Sequence, residues 1–418
     1  MSVWYTNGMK KWLAVLCAVL LAVTLAGCEK EIKQDEEFEY YTNGGIVFGV
    51  FDIDVWLLGS KGAAAYQEML VELESINTDT NLNIDTPLRY LNEEAAVGEA
   101  VEVGVHAYTL MQLSIQYHEK TGGAFNIAMQ TFSEMWRVDS ASTQYFYRNV
   151  GLEDFALPSF QEVAAALQAL QDAAAPDAPF GVEAFQQNDK YYFKKLGQGV
   201  KIDFGAIAKG YAVEVCMDIA LAHGITSAYI GIANHNKIYG QFHNPDTREK
   251  IDFLCAVTHP RTMGIRGNPF YKANLFTVPL RGEVSIIASG DYERFYYYEM
   301  QEEEFLPVCH IINPFTGMPI GISFDNVLNT YVYDADAVIS AVIFDPSANT
   351  AEAFSTAATV YSFEDAKSLL IENRIKSAVM TENHIAFIGI SEADLYMPDS
   401  LMYSMFISYE SNVEFIPL

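Results

Sequence analysis

The chain has 418 residues, 54 of them acidic against 25 basic, for a net charge of −29. That surplus excludes nucleic acid as a partner and direct adsorption to anionic lipid, and any anionic ligand would need cations placed beside it. Half of the residues are hydrophobic and 13% are aromatic, which predicts a globular fold, while five scattered cysteines supply neither a disulfide framework nor zinc spacing.

The N-terminus reads as an export signal. Lys10 and Lys11 precede an almost unbroken apolar run over 12–26, too short and too abruptly ended for a stable membrane span. The run stops at Leu25-Ala26-Gly27-Cys28, which resembles the bacterial lipobox. The resemblance implies lipid attachment to Cys28 and cleavage before it; an uncleaved signal anchor is the alternative. Residues 1–28 are therefore expected to be a lipoprotein signal ending at its lipidated cysteine. Residues 29–43, highly charged at their start, are expected to be a tether, and 44–418 the folded body, held outside the cytoplasm at a membrane surface.

Within the body, alternation over 44–58 predicts a strand or hairpin, and apolar spacing over 62–77 and 101–118 predicts two amphipathic helices. Between them, 85–92 is a polar turn, and glycine pairs near 121–126 permit close backbone approach. A helix is predicted over 159–174, and neighbouring strands over 190–194 and 199–203. Residues 227–232 read as a strand followed by a polar turn over 233–237, and 276–280 with 284–289 as a hairpin across Arg281-Gly282. Helices are expected from Asn349 and Ser362, and strands over 385–390 and 402–409. Strands and helices mix without strict βαβ alternation, so the fold class is α+β, with mixed, mostly antiparallel sheets and packed helices.

The stretch KIDFGAIAKGYAVE, residues 201–214, combines strand, tight turn and helix start. Free N–H groups and the positive end of the helix dipole make such a junction an anion cradle. Lys209 adds a cation there, and Asp203 a carboxylate able to meet a hydrated metal. An ordinary strand–helix junction with a solvated lysine carries the same pattern.

DFGAIAKGYAVE, SGDYERF and HIINPFTGMP, with TGGAFN before them and Glu352 and Thr356 after, stand in the order of the ApbE family and resemble its motifs over nearly the whole body. The resemblance implies the T-fold-like architecture of those proteins. It also implies magnesium-assisted cleavage of FAD, with FMN passing to a Thr or Ser hydroxyl of an exported acceptor protein (a redox subunit or flavin-binding domain) and release of AMP; some members use water instead. By the same resemblance, His310 and Asp291 are the catalytic candidates. Thr86, Asn92, Gly123, Phe125, Asp203, Gly205, Ala208, Lys209 and Arg294 would contact FAD, and Ala206, Glu352 and Thr356 would hold Mg²⁺. Several positions have a plainer reading. Glu352 three residues after Asn349 forms a capping box, Phe125 reads as core, and Asp291 with Arg294 reads as a salt bridge.

The chain departs from the family pattern at Asn126, Ala206, the 233–237 turn, Asn313 and Glu352. Fewer carboxylates weaken charge-assisted hydrogen bonds, and side chains in place of glycines narrow a nucleotide pocket. Three functions follow as expectations: an active transferase, a degenerate flavin-binding protein or FAD pyrophosphatase, and a non-catalytic lipoprotein that uses the fold as a binding scaffold.

Overall fold

The computed structural model describes residues 40–262, 274–301, 304–396 and 412–418. The lipobox, most of the tether and the strand expected over 402–409 lie outside them. Among the described residues no helix is long and apolar enough to cross a membrane.

Nine strands build the central sheet: β1 (Tyr40–Val47), β2 (Phe51–Leu58), β3 (Ser227–Ile232), β4 (His235–Gly240), β5 (Val284–Gly290), β6 (Ser340–Asp345), β7 (Lys376–Met380), β8 (Ile385–Ile388) and β9 (Val413–Ile416). They lie side by side in chain order, all pairs antiparallel except β8 with β9. The α+β expectation holds. Long insertions between β2 and β3, and between β5 and β6, carry most of the remaining elements.

Among the described residues eight α-helices accompany the sheet: α1 (Gly62–Thr80), α2 (Pro87–Glu93), α3 (Val105–Lys120), α4 (Gln130–Met135), α5 (Phe160–Ala173), α6 (Ala208–Ala222), α7 (Ala348–Val360) and α8 (Phe363–Glu372). The period-2 side-chain alternation of a strand divides the sheet's residues between two cores. Ile287, Ala341, Ile343 and Val379 pack with α1, α6, α7 and α8 on one face. Ile286, Val342, Phe344, Ala378 and Met380 face the paired strands Phe253–Thr258 and Asn274–Leu280 on the other. Helix α6 is apolar around much of its girth because α1 and α7 both pack on it, burying Gly210, Val213, Cys216, Met217 and Ala220.

Five local expectations are corrected. Residues 85–92, read as a polar turn, carry helix α2 from Pro87 onward behind the Thr86 cap. Residues 276–280 and 284–289 do not pair with each other; the first joins Phe253–Thr258 and the second lies between β4 and β6. The polar turn over 233–237 shrinks to Ala233 and Asn234, and His235 already begins β4. Ala233 takes the positive φ of +52° that the tight turn requires. Residues 199–203 form no strand, since Asn92 rather than a neighbouring strand binds their backbone. Helix α7 is capped by Ser347, whose side chain accepts the N–H of Thr350, so the expected Asn349–Glu352 box does not form.

Candidate functional site

The site is built where the chain runs from 200 into α6. Asn92, buried on α2, donates from Nδ2 to the Ile202 carbonyl at 2.8 Å and accepts the Ile202 N–H at 3.0 Å. The Asp203 N–H continues this brace to the Ile127 carbonyl at 2.8 Å, next to the turn in which Asn126 Oδ1 accepts the Ala128 N–H. Asp203 then folds its own carboxylate onto the Gly205 N–H at 2.8 Å. Chain direction, turn and helix start are thereby fixed without a strand.

Helix α6 starts without a side-chain cap, because Ile207 has none to give. Glu352 takes that part from the facing helix α7. Its Oε2 accepts the Gly210 N–H at 2.6 Å, while its Oε1 lies 2.9 Å from Lys209 Nζ and 2.9 Å from His235 Nε2. The carboxylate is 1% exposed. Burial alone would raise its pKa, but the Lys209 ammonium and the His235 imidazole outweigh that and hold it at about 2. Lys209 also donates to the Gly205 carbonyl at 2.6 Å. The donors predicted to cradle an external anion are thus engaged by an internal one.

His310 and Arg294 lie alongside. The His310 N–H donates to the Arg294 carbonyl at 3.0 Å, and its ring Nδ1 is sealed from solvent without a hydrogen-bond partner among the described residues. Burial, then the charges of Arg294 and Lys209, push the His310 pKa well below the usual imidazole range, so the ring is neutral. Burial lowers the Arg294 pKa, and Asp203 and then Glu293 oppose that shift. A neutral, unpartnered imidazole nitrogen can accept a proton beside an anion.

The other predicted residues are placed as follows. Asp291 does not pair with Arg294; its carboxylate is held two-pronged by Arg261 at 2.6 and 2.9 Å, and burial raises its pKa. Nothing in the sequence marks Arg261, 30 residues away, as that partner. Thr86 caps α2 by accepting the Arg89 N–H at 3.1 Å. Phe125 is fully buried against Tyr117, and Gly123, at φ +93°, faces the Phe315 ring. Ala206 and Ala208 are half-buried on either side of Ile207. Thr356 Oγ1 lies 3.3 Å from Ser289 Oγ.

A magnesium ion asks for near-octahedral oxygen ligands. Oε2 of Glu352 is taken by a backbone N–H; Oε1 makes no hydrogen bond among the described residues but is crowded by an ammonium and an imidazole nitrogen, each 2.9 Å away, and the described residues hold no group of three His, Cys, Asp or Glu side chains suited to a metal. The set Ala206, Glu352 and Thr356 does not fit that ion in this arrangement. His235, the first residue after the altered turn, is what closes it.

The comparisons agree with this architecture. The chain resembles an FAD:protein FMN transferase of Treponema pallidum, 24% identical over 376 residues, covering 86% of this chain and 88% of the relative. A second relative of that name, from Vibrio cholerae, is 21% identical over 91% of this chain and 96% of its own length. Among solved structures, the ApbE protein of Thermotoga maritima aligns with a TM-score of 0.62 at 22% identity, covering 85% of this chain and 98% of that one. The apo flavinyl transferase ApbE of Pseudomonas stutzeri gives 0.61 at 19%, covering 82% and 92%. These two structures share the fold. The ApbE family model matches residues 49–380, from just before β2 through β7, and so takes in the α6 turn, the His310 turn and Glu352 together; the chain belongs to the ApbE family.

Proposed function

We propose that this chain is a flavin transferase that splits the diphosphate of FAD, joins FMN to a Thr or Ser hydroxyl of a separate exported protein, and releases AMP. The observation that carries this reading is the buried His310, whose backbone N–H holds the Arg294 carbonyl and whose ring Nδ1 has no hydrogen-bond partner among the described residues. In the transfer, the acceptor oxygen forms a bond to the FMN phosphorus and the bridging bond to AMP breaks. The hydroxyl proton passes to the His310 ring, and AMP leaves with the bridging electron pair. Arg294 is placed to offset the charge that gathers on the phosphoryl oxygens. Magnesium is the ion that the family resemblance implies for the diphosphate, and the one oxygen of Glu352 without a hydrogen bond among the described residues is crowded by Lys209 and His235. The Cys28 lipobox supports a lipid-anchored position outside the cytoplasm, which brings the site to exported acceptors.

A second reading, flavin binding without transfer or a plain scaffold, is favoured by His235, which occupies the corner beside Lys209 and Glu352. Incubation with FAD, Mg²⁺ and an exported flavin-acceptor domain separates the readings, with mass measurement of the acceptor and assay of AMP. Equal amounts of flavinylated acceptor and AMP are expected, both lost in His310→Ala while FAD binding persists. AMP without a mass gain means hydrolysis, and bound FAD with neither product means that only the binding reading survives.

A further inference from the structure

The carboxylate expected to carry a divalent ion is already neutralised from within the chain. Gly210 donates to Glu352 Oε2 at 2.6 Å, and Oε1, without a hydrogen bond of its own among the described residues, is flanked by Lys209 Nζ and His235 Nε2, each at 2.9 Å. His235 reaches it because β4 begins directly after the two-residue turn, which points the ring to the α7 side of the sheet; Asn234 anchors that turn through Nδ2 to Glu293 Oε1 at 2.8 Å. Lys209 is held from its other side by the Gly205 carbonyl. An ion bound to Glu352 would have to push aside the Lys209 ammonium, leaving it only the Gly205 carbonyl, or the buried His235 imidazole, leaving that ring without its carboxylate inside the protein.

We propose that this chain binds the diphosphate of a flavin dinucleotide without a metal on Glu352, with His235 standing where the ion would be and Glu352 acting as an internal counter-ion that fixes Lys209 and the first turn of α6. The inference rests on the flavin reading above, and it changes who carries the charge. The diphosphate's charge then falls to Arg294 and to the N–H groups of α6 that Glu352 does not engage, and Glu352 is a positioning residue. His235→Gly removes the occupant and opens Oε1, so a metal site should appear in that variant.

The test uses the full-length chain in detergent, with two readouts. Free Mn²⁺ is followed by electron paramagnetic resonance with no flavin present, and FAD affinity is followed by flavin fluorescence in EDTA and in excess Mg²⁺. The wild type is expected to leave the Mn²⁺ signal undiminished and to bind FAD within about twofold in the two media. His235→Gly is expected to bind Mn²⁺, and adding Glu352→Gln to that variant to abolish the gain. Stoichiometric Mn²⁺ uptake by the wild type that disappears in Glu352→Gln overturns the proposal, as does a loss of FAD affinity of about tenfold or more on chelation; either result leaves the transferase reading standing. Failure to bind FAD in both media overturns the transferase reading and the diphosphate half of this proposal together. The Mn²⁺ measurement on the wild type does not depend on any variant folding.

Discussion

Gly210 and Glu352 approach so closely that no side chain fits between them. The Gly210 N–H lies 2.6 Å from Glu352 Oε2, and a Cβ added at Gly210 would come within 2.7 Å of the Ala348 carbonyl and 2.8 Å of the same carboxylate oxygen. Helices α6 and α7 therefore meet at their N-terminal ends through a glycine and a buried acid. Gly210→Ala must push the α7 backbone away, and overpacking of this kind costs about 1–3 kcal/mol. Urea denaturation should show that loss, although alanine alone would favour the helix.

Lys209 and Glu352 form a buried pair, so removing one partner leaves a charge without its counterpart. Lys209→Met should destabilise by about 3 kcal/mol, at the lower end of what breaking such pairs costs, because Lys209 keeps some solvent contact. Lys209→Met combined with Glu352→Gln should cost less than the two single changes added together. Additive losses in the denaturation cycle would show that the pair is not coupled.

Asn313 explains one departure from the family motif. Its Oδ1 accepts the Phe315 N–H at 2.9 Å, and its Nδ2 donates to the Val360 carbonyl at 3.3 Å, tying the His310 turn to the end of α7. An aspartate keeps the first bond and sets a carboxylate oxygen against a carbonyl in the second. Asn313→Asp should lower stability by about 1–3 kcal/mol. A thermal melt unchanged from the wild type would sink this account.

The sequence made the fold class and the turn into α6 legible, because both are written in local chemistry. Alternation set out β1 and β2 and short apolar runs set out β3, β5 and β8, while β4, β6, β7 and β9 were not read; Gly205 with the run from Ala208 marked the start of α6. Partners set by tertiary pairing were not legible. Arg261 meets Asp291, and Asn92 rather than a strand holds Ile202; both contacts join segments whose separation along the chain carries no periodic signal. Glu352 shows the same limit from the other side. Its spacing from Asn349 satisfies a capping rule, yet burial against α6 decides its partners. His235 read as part of an exposed turn, because nothing local says that a two-residue hairpin would place it on the buried side of β4.

The last prediction concerns acid. His259 accepts the Arg261 N–H on Nδ1 at 3.1 Å, a bond that requires this nitrogen to be unprotonated. Burial, and then the Arg261 charge, bring its pKa from the ordinary 6.5 down to about 4, while Glu382 pulls weakly the other way. Because the folded pKa is the lower one, the unfolded chain binds the proton more readily between these values. The stabilising contribution is complete above pH 6.5 and is lost as pH falls toward 4, up to about 3 kcal/mol. Replacing the ring with an uncharged amide should remove that dependence, so the stability difference between wild type and His259→Gln should shift in favour of the variant as the pH is lowered through this window. A difference that stays flat from pH 7 to 4 in urea titrations would show that His259 is as easily protonated in the folded protein as in the unfolded chain.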